Sequence, residues 1–110
     1  MKILIVGSGS IGERHLQCFM QTENIICSVC ESGKDKLTET KNKYEGKIDK
    51  AFEDFEKEDL SYFDGVVICV PAHLHIPMAY RAANQGCHVL IEKPLSHNLD
   101  GVDDLIKIKG

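Results

Sequence analysis

The residues KILIVGSGSIG, from Lys2 to Gly12, join a short apolar run to a glycine-rich loop. Residues 2–6 are rich in Ile, Leu and Val, which is typical of a parallel strand buried on both faces. The loop has the pattern G-x-G-x-x-G, formed by Gly7, Gly9 and Gly12. The spacing of apolar residues from Ser10 to about Thr22 predicts a helix directly after it. A strand, a glycine loop and a helix in this order predict a turn that binds the phosphates of a dinucleotide.

Each glycine of this loop has an expected task. Gly7 permits the tight turn, Gly9 lets the backbone approach a pyrophosphate, and Gly12 lets the helix pack close to the strand. The amino terminus of the helix then offers N–H groups and a favourable dipole to the phosphates. The positions between the glycines belong to the same predicted site: Ser8, Ser10 and Ile11.

A carboxylate stands where such a loop needs one. Glu31 ends the predicted second strand, nineteen residues after Gly12. A carboxylate there accepts hydrogen bonds from the adenosine ribose hydroxyls and repels a 2′-phosphate. No arginine follows to offset its charge, although Lys34 is near. The sequence therefore predicts NAD rather than NADP as the cofactor. The alternative to dinucleotide binding itself is a look-alike loop that binds another nucleotide or nothing.

The rest of the chain alternates strand-like and helix-like segments. Strands are predicted at 24–30, 48–51, 65–70 and 87–91, and helices at 34–44, 73–85 and 99–109, with a short acidic helix at 53–60. Right-handed crossovers between such strands force a parallel sheet with helices on both faces. We expect an α/β, doubly wound parallel sheet. The length of 110 residues suits one core, so 1–110 is predicted to be a single domain.

The charge balance argues against several kinds of partner. Thirteen Lys and Arg stand against seventeen Asp and Glu, for a net charge of −4. This favours neither nucleic acid nor an anionic membrane as a partner. The apolar run at the amino terminus is too short for a signal peptide or a membrane span. We expect a cytoplasmic protein.

The cysteines and histidines suggest no metal site. The five cysteines are an odd number, and most lie in apolar runs, which favours free buried thiols. Cys27 and Cys30 form a C-x-x-C, but in a strand this spacing places them on opposite faces. His73 and His75 could in principle ligate a metal, but packing or a place beside the cofactor is the favoured interpretation.

Two further motifs follow the fourth and fifth predicted strands. The first reads VPAHLH, residues 70–75, and is followed by Ala79; the second is Glu92-Lys93-Pro94. Together with the glycine loop and His15, they resemble the Gfo/Idh/MocA family, the group of glucose-fructose oxidoreductase and inositol dehydrogenase. The resemblance covers essentially the whole chain, and E-K-P is its most specific element.

The resemblance implies the NAD(P)-binding Rossmann domain of an oxidoreductase. Its reaction would transfer a hydride between nicotinamide and a sugar, inositol or related polyol. Lys93 would be the catalytic residue, beside the substrate, and Glu92 would lie near the nicotinamide ribose. The resemblance also assigns three residues after the fourth strand to the cofactor site: Val70, Pro71 and His75. Val70 stands where the family commonly has Thr, which removes one hydroxyl contact.

The resemblance also implies a missing half. Family members are considerably longer, and their second domain supplies the substrate pocket, most of the oligomer interface and usually the general acid/base. We expect negligible turnover from this chain alone and a homo-oligomer for the full-length parent. An NAD-sensing regulatory module, or an interaction domain that has lost its ligand, is the alternative; the E-K-P motif favours the enzyme.

Overall fold

The computed structural model describes residues 1–70 and 74–91, except for the side chain of Ser10. The strands are β1 Lys2–Val6, β2 Ile26–Cys30, β3 Ile48–Phe52, β4 Gly65–Ile68 and β5 His88–Ile91. The helices are α1 Ser10–Met20, α2 Lys34–Lys43 and α3 His75–Asn84. The predictions for Pro71, His73, Glu92, Lys93 and the helix at 99–109 lie outside the described residues. Within those residues, no helix has the length and apolar character that a membrane crossing requires.

The five strands form one parallel sheet in the order β3-β2-β1-β4-β5. The chain runs outward from β1 to β3 on one side and then returns to build β4 and β5 on the other. The direction of winding therefore reverses between β1 and β4. This topology confirms the predicted α/β doubly wound fold.

Both faces of the sheet are buried, which explains why β1 is apolar from Ile3 to Val6. Ile3 and Ile5 belong to the cluster under α1 and α2, whereas Leu4 and Val6 belong to the cluster under α3. The helix α3 packs closely because Ala79 and Ala82, both fully buried, keep it near the strands. The site described below is thus built on a sheet that is packed on both faces.

A polar network joins α1 to α2. The Gln17 amide donates to the Tyr44 hydroxyl at 2.9 Å, and that hydroxyl donates to Glu13 Oε2 at 2.8 Å. Lys43 also pairs with Glu13. These contacts fix the helix that follows the glycine loop against the helix that follows Glu31.

The five cysteines are thiols rather than disulfides, as predicted, but not all are buried. Cys27 and Cys30 lie in the two different clusters, which confirms that they occupy opposite faces of β2. Desolvation raises the pKa of both thiols, and with a smaller contribution from Glu31 it raises the pKa of Cys30 to about 12. Cys18 is exposed, contrary to the expectation, because it lies on the outer face of α1.

The predicted acidic helix at 53–60 is wrong. The segment forms two single 3₁₀ turns, Phe55–Lys57 and Leu60–Tyr62. The carboxylates of Asp54 and Asp59 each accept a hydrogen bond from the N–H two residues later, so each starts its own turn. Glu58 between them is extended, with ψ 147°, and this breaks any continuous helix.

Candidate dinucleotide-binding site

A cleft of about 820 Å³ opens at the carboxyl ends of the strands. Gly7, Gly9 and Glu31 line it, together with Val70 and residues 53–56. It therefore lies beside the point where the winding reverses, which is where open α/β sheets bind their ligands. The structure brings Gly7, Gly9, Glu31 and Val70, which were predicted as site residues and are far apart in the sequence, to one place.

Gly7 and Gly12 are required by the fold itself. Gly7 has φ +93°, and a Cβ there would lie 2.7 Å from the carbonyl oxygen of Cys69. A Cβ on Gly12 would lie 1.9 Å from the carbonyl oxygen of Gly7. Neither contact can be relieved by a side-chain movement, because both obstacles are backbone atoms. The tight turn and the close helix packing predicted for these two glycines are confirmed.

Gly9 is different, because the described part of the chain leaves the space beside its Cα open. A Cβ there would meet none of the described atoms within 4 Å. Gly9 is also the N-cap of α1 and makes no side-chain cap, so the positive end of the helix dipole is left to a ligand. The loop thus has an open face at the cleft, of the kind a pyrophosphate needs, and the residues present fit a dinucleotide.

Glu31 is tied to the glycine loop by two hydrogen bonds. The backbone N–H of Ser8 donates to Glu31 Oε1 at 2.8 Å, and the Ser8 hydroxyl donates to the same oxygen at 3.0 Å. The other oxygen, Oε2, accepts from the N–H of Gly33 at 2.9 Å. Ser8 itself is only 2% exposed, so this link is internal to the site. The carboxylate therefore stands at a fixed distance from the loop that precedes α1.

The environment of Glu31 favours its charged form. Partial burial by itself raises the pKa of this carboxyl. The hydrogen bonds from Ser8 and Gly33, with a smaller contribution from the charge of Lys36, outweigh it and lower the pKa below its ordinary value. At neutral pH the cleft therefore presents an ionised acceptor.

The lowered pKa of Glu31 predicts a loss of stability in acid. The unfolded chain takes up this proton first, near the ordinary pKa of 4.5, so stability falls as the pH drops from there through the lower folded-state value. Urea midpoints at pH 7 and at successively lower pH values would show a smaller acid loss in Glu31→Gln than in wild type. The exposed Glu23→Gln is the control and should keep the wild-type loss; an equal loss in both variants would contradict the prediction.

His75 is buried next to a residue that lines the cleft, but does not line the cleft itself. Its ring is 1% exposed, and Nε2 donates to the carbonyl oxygen of Val70, which lines the cleft. A carbonyl only accepts, so Nε2 must carry the proton. Nδ1 makes no hydrogen bond with the described residues. The imidazole therefore does not line the cleft itself, but its hydrogen bond holds the backbone of Val70, which does.

Ile11 and Ser10 are the remaining predicted residues of the loop. The side chain of Ile11 is 45% exposed on α1 and does not line the cleft. Ser10 begins α1, but its side chain is not among the described atoms. No group of three or more His, Cys, Asp or Glu in the part of the chain that the structure describes could hold a metal ion.

The sequence analysis missed one wall of the cleft. Asp54, Phe55 and Glu56, which follow β3, line it together with Leu74 and Met78 from the start of α3. The available signal was positional: the third strand ends at the same sheet edge as the first two, so the residues after it belong to the ligand side. The apolar pattern of β3 in the sequence is short and weak, so this wall of the cleft was not predicted.

Comparison with known proteins agrees with this geometry. Residues 1–109 match the model of the Gfo/Idh/MocA family, an oxidoreductase family with an NAD-binding Rossmann fold. The myo-inositol 2-dehydrogenase of Thermotoga maritima is 31% identical over 109 residues, which cover 97% of this chain and 32% of that protein.

Two solved structures show the same similarity. A probable dehydrogenase from Thermotoga maritima superposes with a TM-score of 0.86 at 29% identity, over 98% of this chain and 32% of that one. The scyllo-inositol dehydrogenase of Lactobacillus casei, solved with bound NAD(H) and scyllo-inositol, gives a TM-score of 0.81 at 26% identity, with the same coverage. This chain thus spans about a third of the length of these proteins. The chain belongs to the Gfo/Idh/MocA oxidoreductase family and carries its NAD-binding Rossmann domain.

Proposed function

We propose that this domain binds NAD(H) in preference to NADP(H), as the cofactor-binding half of a dehydrogenase that acts on an inositol, a sugar or a related polyol. The observation that carries the cofactor preference is the ionised Glu31 carboxylate, held beside the glycine loop at the cleft. The substrate class is supported by the inositol dehydrogenases among the similar proteins. A homo-oligomeric complete protein and a cytoplasmic location stay predictions.

Different residues of the cleft would bind different parts of the dinucleotide. The open backbone at Gly9 and the amino terminus of α1 would hold the pyrophosphate. Glu31 would hold the adenosine ribose. By the family resemblance, Val70, Pro71 and Glu92 would also contact the cofactor. His75 holds the carbonyl group of Val70 in place by its hydrogen bond. When bound, the cofactor supplies the carbon that gives or accepts the hydride, and the protein supplies orientation and electrostatics.

The hydrogen-bond capacity of Glu31 suits a ribose. A carboxylate has about four acceptor positions, and Ser8 and Gly33 occupy three. One position remains for a ribose hydroxyl, and rotation of the Ser8 hydroxyl would release a second. A 2′-phosphate at the same place would set negative charge against a carboxylate whose lowered pKa keeps it ionised.

Calorimetric titration with NADH and NADPH at one salt concentration tests this proposal. We expect wild type to bind NADH more tightly. Glu31→Ala should weaken NADH about tenfold, the size of one lost charge-assisted hydrogen bond, and leave NADPH unchanged or tighter. Asp35→Ala, which removes an exposed carboxylate from the first turn of α2, should behave as wild type. Equal affinities for the two cofactors in wild type, or binding of neither by the folded chain, would contradict the proposal.

A further inference from the structure

Residues 53–56 line the cleft without belonging to the sheet, and the segment continues to Glu58 outside it. Glu53, Asp54, Phe55 and Glu56 all line it, but β3 has ended at Phe52 and the segment is no longer paired with a strand. The Asp54 cap orders one turn, and the ring of Phe55 is buried in the core. The backbone from Glu56 to Glu58 needs a further anchor.

Arg81 of α3 provides this anchor. Its Nη2 donates to the carbonyl oxygen of Glu56 at 2.8 Å and to that of Glu58 at 2.9 Å. Its Nε lies 3.3 Å from the Glu56 carboxylate, and the guanidinium lies 5.5 Å from the centre of the Phe55 ring. The side chain is only 22% exposed. One planar group therefore contacts a ring, a carboxylate and two carbonyls of the same segment.

We infer that Arg81 is a positioning residue for the adenosine half of the dinucleotide, acting through residues 53–56. The inference rests on the proposed function, because a ribose held at Glu31 places its adenine in the part of the cleft that these residues border. Arg81 does not itself line the cleft. It acts by fixing the wall, and the guanidinium fork suits this task because it can bond two carbonyls and a carboxylate together, which an ammonium cannot do with the same geometry.

Charge gives Arg81 a second effect in the same direction. Glu53, Asp54 and Glu56 join Glu31 around a cleft that is proposed to take an anionic ligand. Arg81 pairs with Glu56 and offsets part of this negative charge. Its loss would release the wall and also leave the carboxylates less compensated.

Binding of cofactor fragments tests the inference. In Arg81→Ala we expect Kd to rise about tenfold for NADH and by the same factor for ADP-ribose, as for a lost set of charge-assisted hydrogen bonds. Nicotinamide mononucleotide, followed by NMR, should bind as it does to wild type. Arg81→Lys, which keeps the charge and loses the fork, should give an intermediate loss for ADP-ribose. A purely structural role would not separate the two halves of the cofactor.

Lys57→Ala is the matched control. Lys57 lies in the same segment, its side chain is 82% exposed, and it only approaches Asp54 at 3.8 Å. The substitution removes a positive charge that solvent screens and that therefore compensates the cleft carboxylates little, and it removes no anchor, so it should leave all three Kd values unchanged. An Arg81→Ala protein that binds ADP-ribose like wild type, or a Lys57→Ala protein that is equally impaired, would overturn the inference. If Arg81→Ala does not fold, wild-type ADP-ribose affinity in Arg81→Lys overturns it instead.

The two proposals fail separately. Equal affinity of wild type for NADH and NADPH would refute the cofactor preference whatever Arg81 does. A clear preference for NADH combined with no effect of Arg81→Ala on ADP-ribose would refute only the role of Arg81.

Discussion

Gly12→Ala is expected to lower the free energy of unfolding by about 3 kcal/mol, the upper range for overpacking a tight site, and to abolish NADH binding. The new Cβ would stand 1.9 Å from the carbonyl oxygen of Gly7. Relief requires α1 to move away from β1, which loosens the packing of Leu16 and opens the glycine loop. Urea unfolding measures the stability, and calorimetry measures the binding.

Gly9→Ala is the matched control for Gly12→Ala. The same methyl group meets none of the described atoms within 4 Å, so the expected loss of stability is only that of alanine at an N-cap, about 1 kcal/mol or less. NADH affinity should still fall, because the methyl group enters the space proposed for the pyrophosphate. If Gly12→Ala is as stable as wild type, the close packing of loop and helix is contradicted. If Gly9→Ala binds NADH as wild type does, the pyrophosphate assignment is contradicted.

Lys93→Ala in the complete protein is expected to reduce kcat by about a hundredfold or more, the usual cost of removing a group that stabilises developing charge. The KM for NAD should change little. Lys93 lies outside the described residues, so this prediction rests on the resemblance of Glu92-Lys93-Pro94 to the family motif. Steady-state kinetics of inositol or sugar oxidation, followed by NADH absorbance, measures both constants.

Two comparisons make the Lys93 prediction specific. Lys47→Ala, which removes an exposed lysine at the opposite end of the sheet, should leave kcat unchanged. Unchanged turnover in Lys93→Ala would refute the assigned role. A complete wild-type protein that binds NADH but oxidises no inositol, sugar or polyol would instead favour the alternative of a regulatory module.

Local patterns determined the architecture and predicted many residues of the candidate site. The apolar run of β1 and the glycines at positions 7, 9 and 12 predict strand, turn and helix because each depends only on near neighbours. The position of Glu31 is predicted in the same way, because one helix and one strand of ordinary length separate it from the glycine loop. Each of these predictions needs only one local element, together with the rule that the carboxyl ends of parallel strands lie at the same edge of the sheet.

Only the tertiary structure decided how the parts of the site meet. It distinguishes Gly12, where the backbone of Gly7 leaves no room for a Cβ, from Gly9, where a Cβ would meet none of the described atoms within 4 Å. It also joins Ser8 to Glu31 and Arg81 to the segment after β3. Ser8 and Glu31 are 23 residues apart, and Arg81 and Glu56 are 25 apart, so no local periodicity reports them. Such contacts depend on which strands become neighbours, and the strand order is a property of the whole sheet rather than of any one segment.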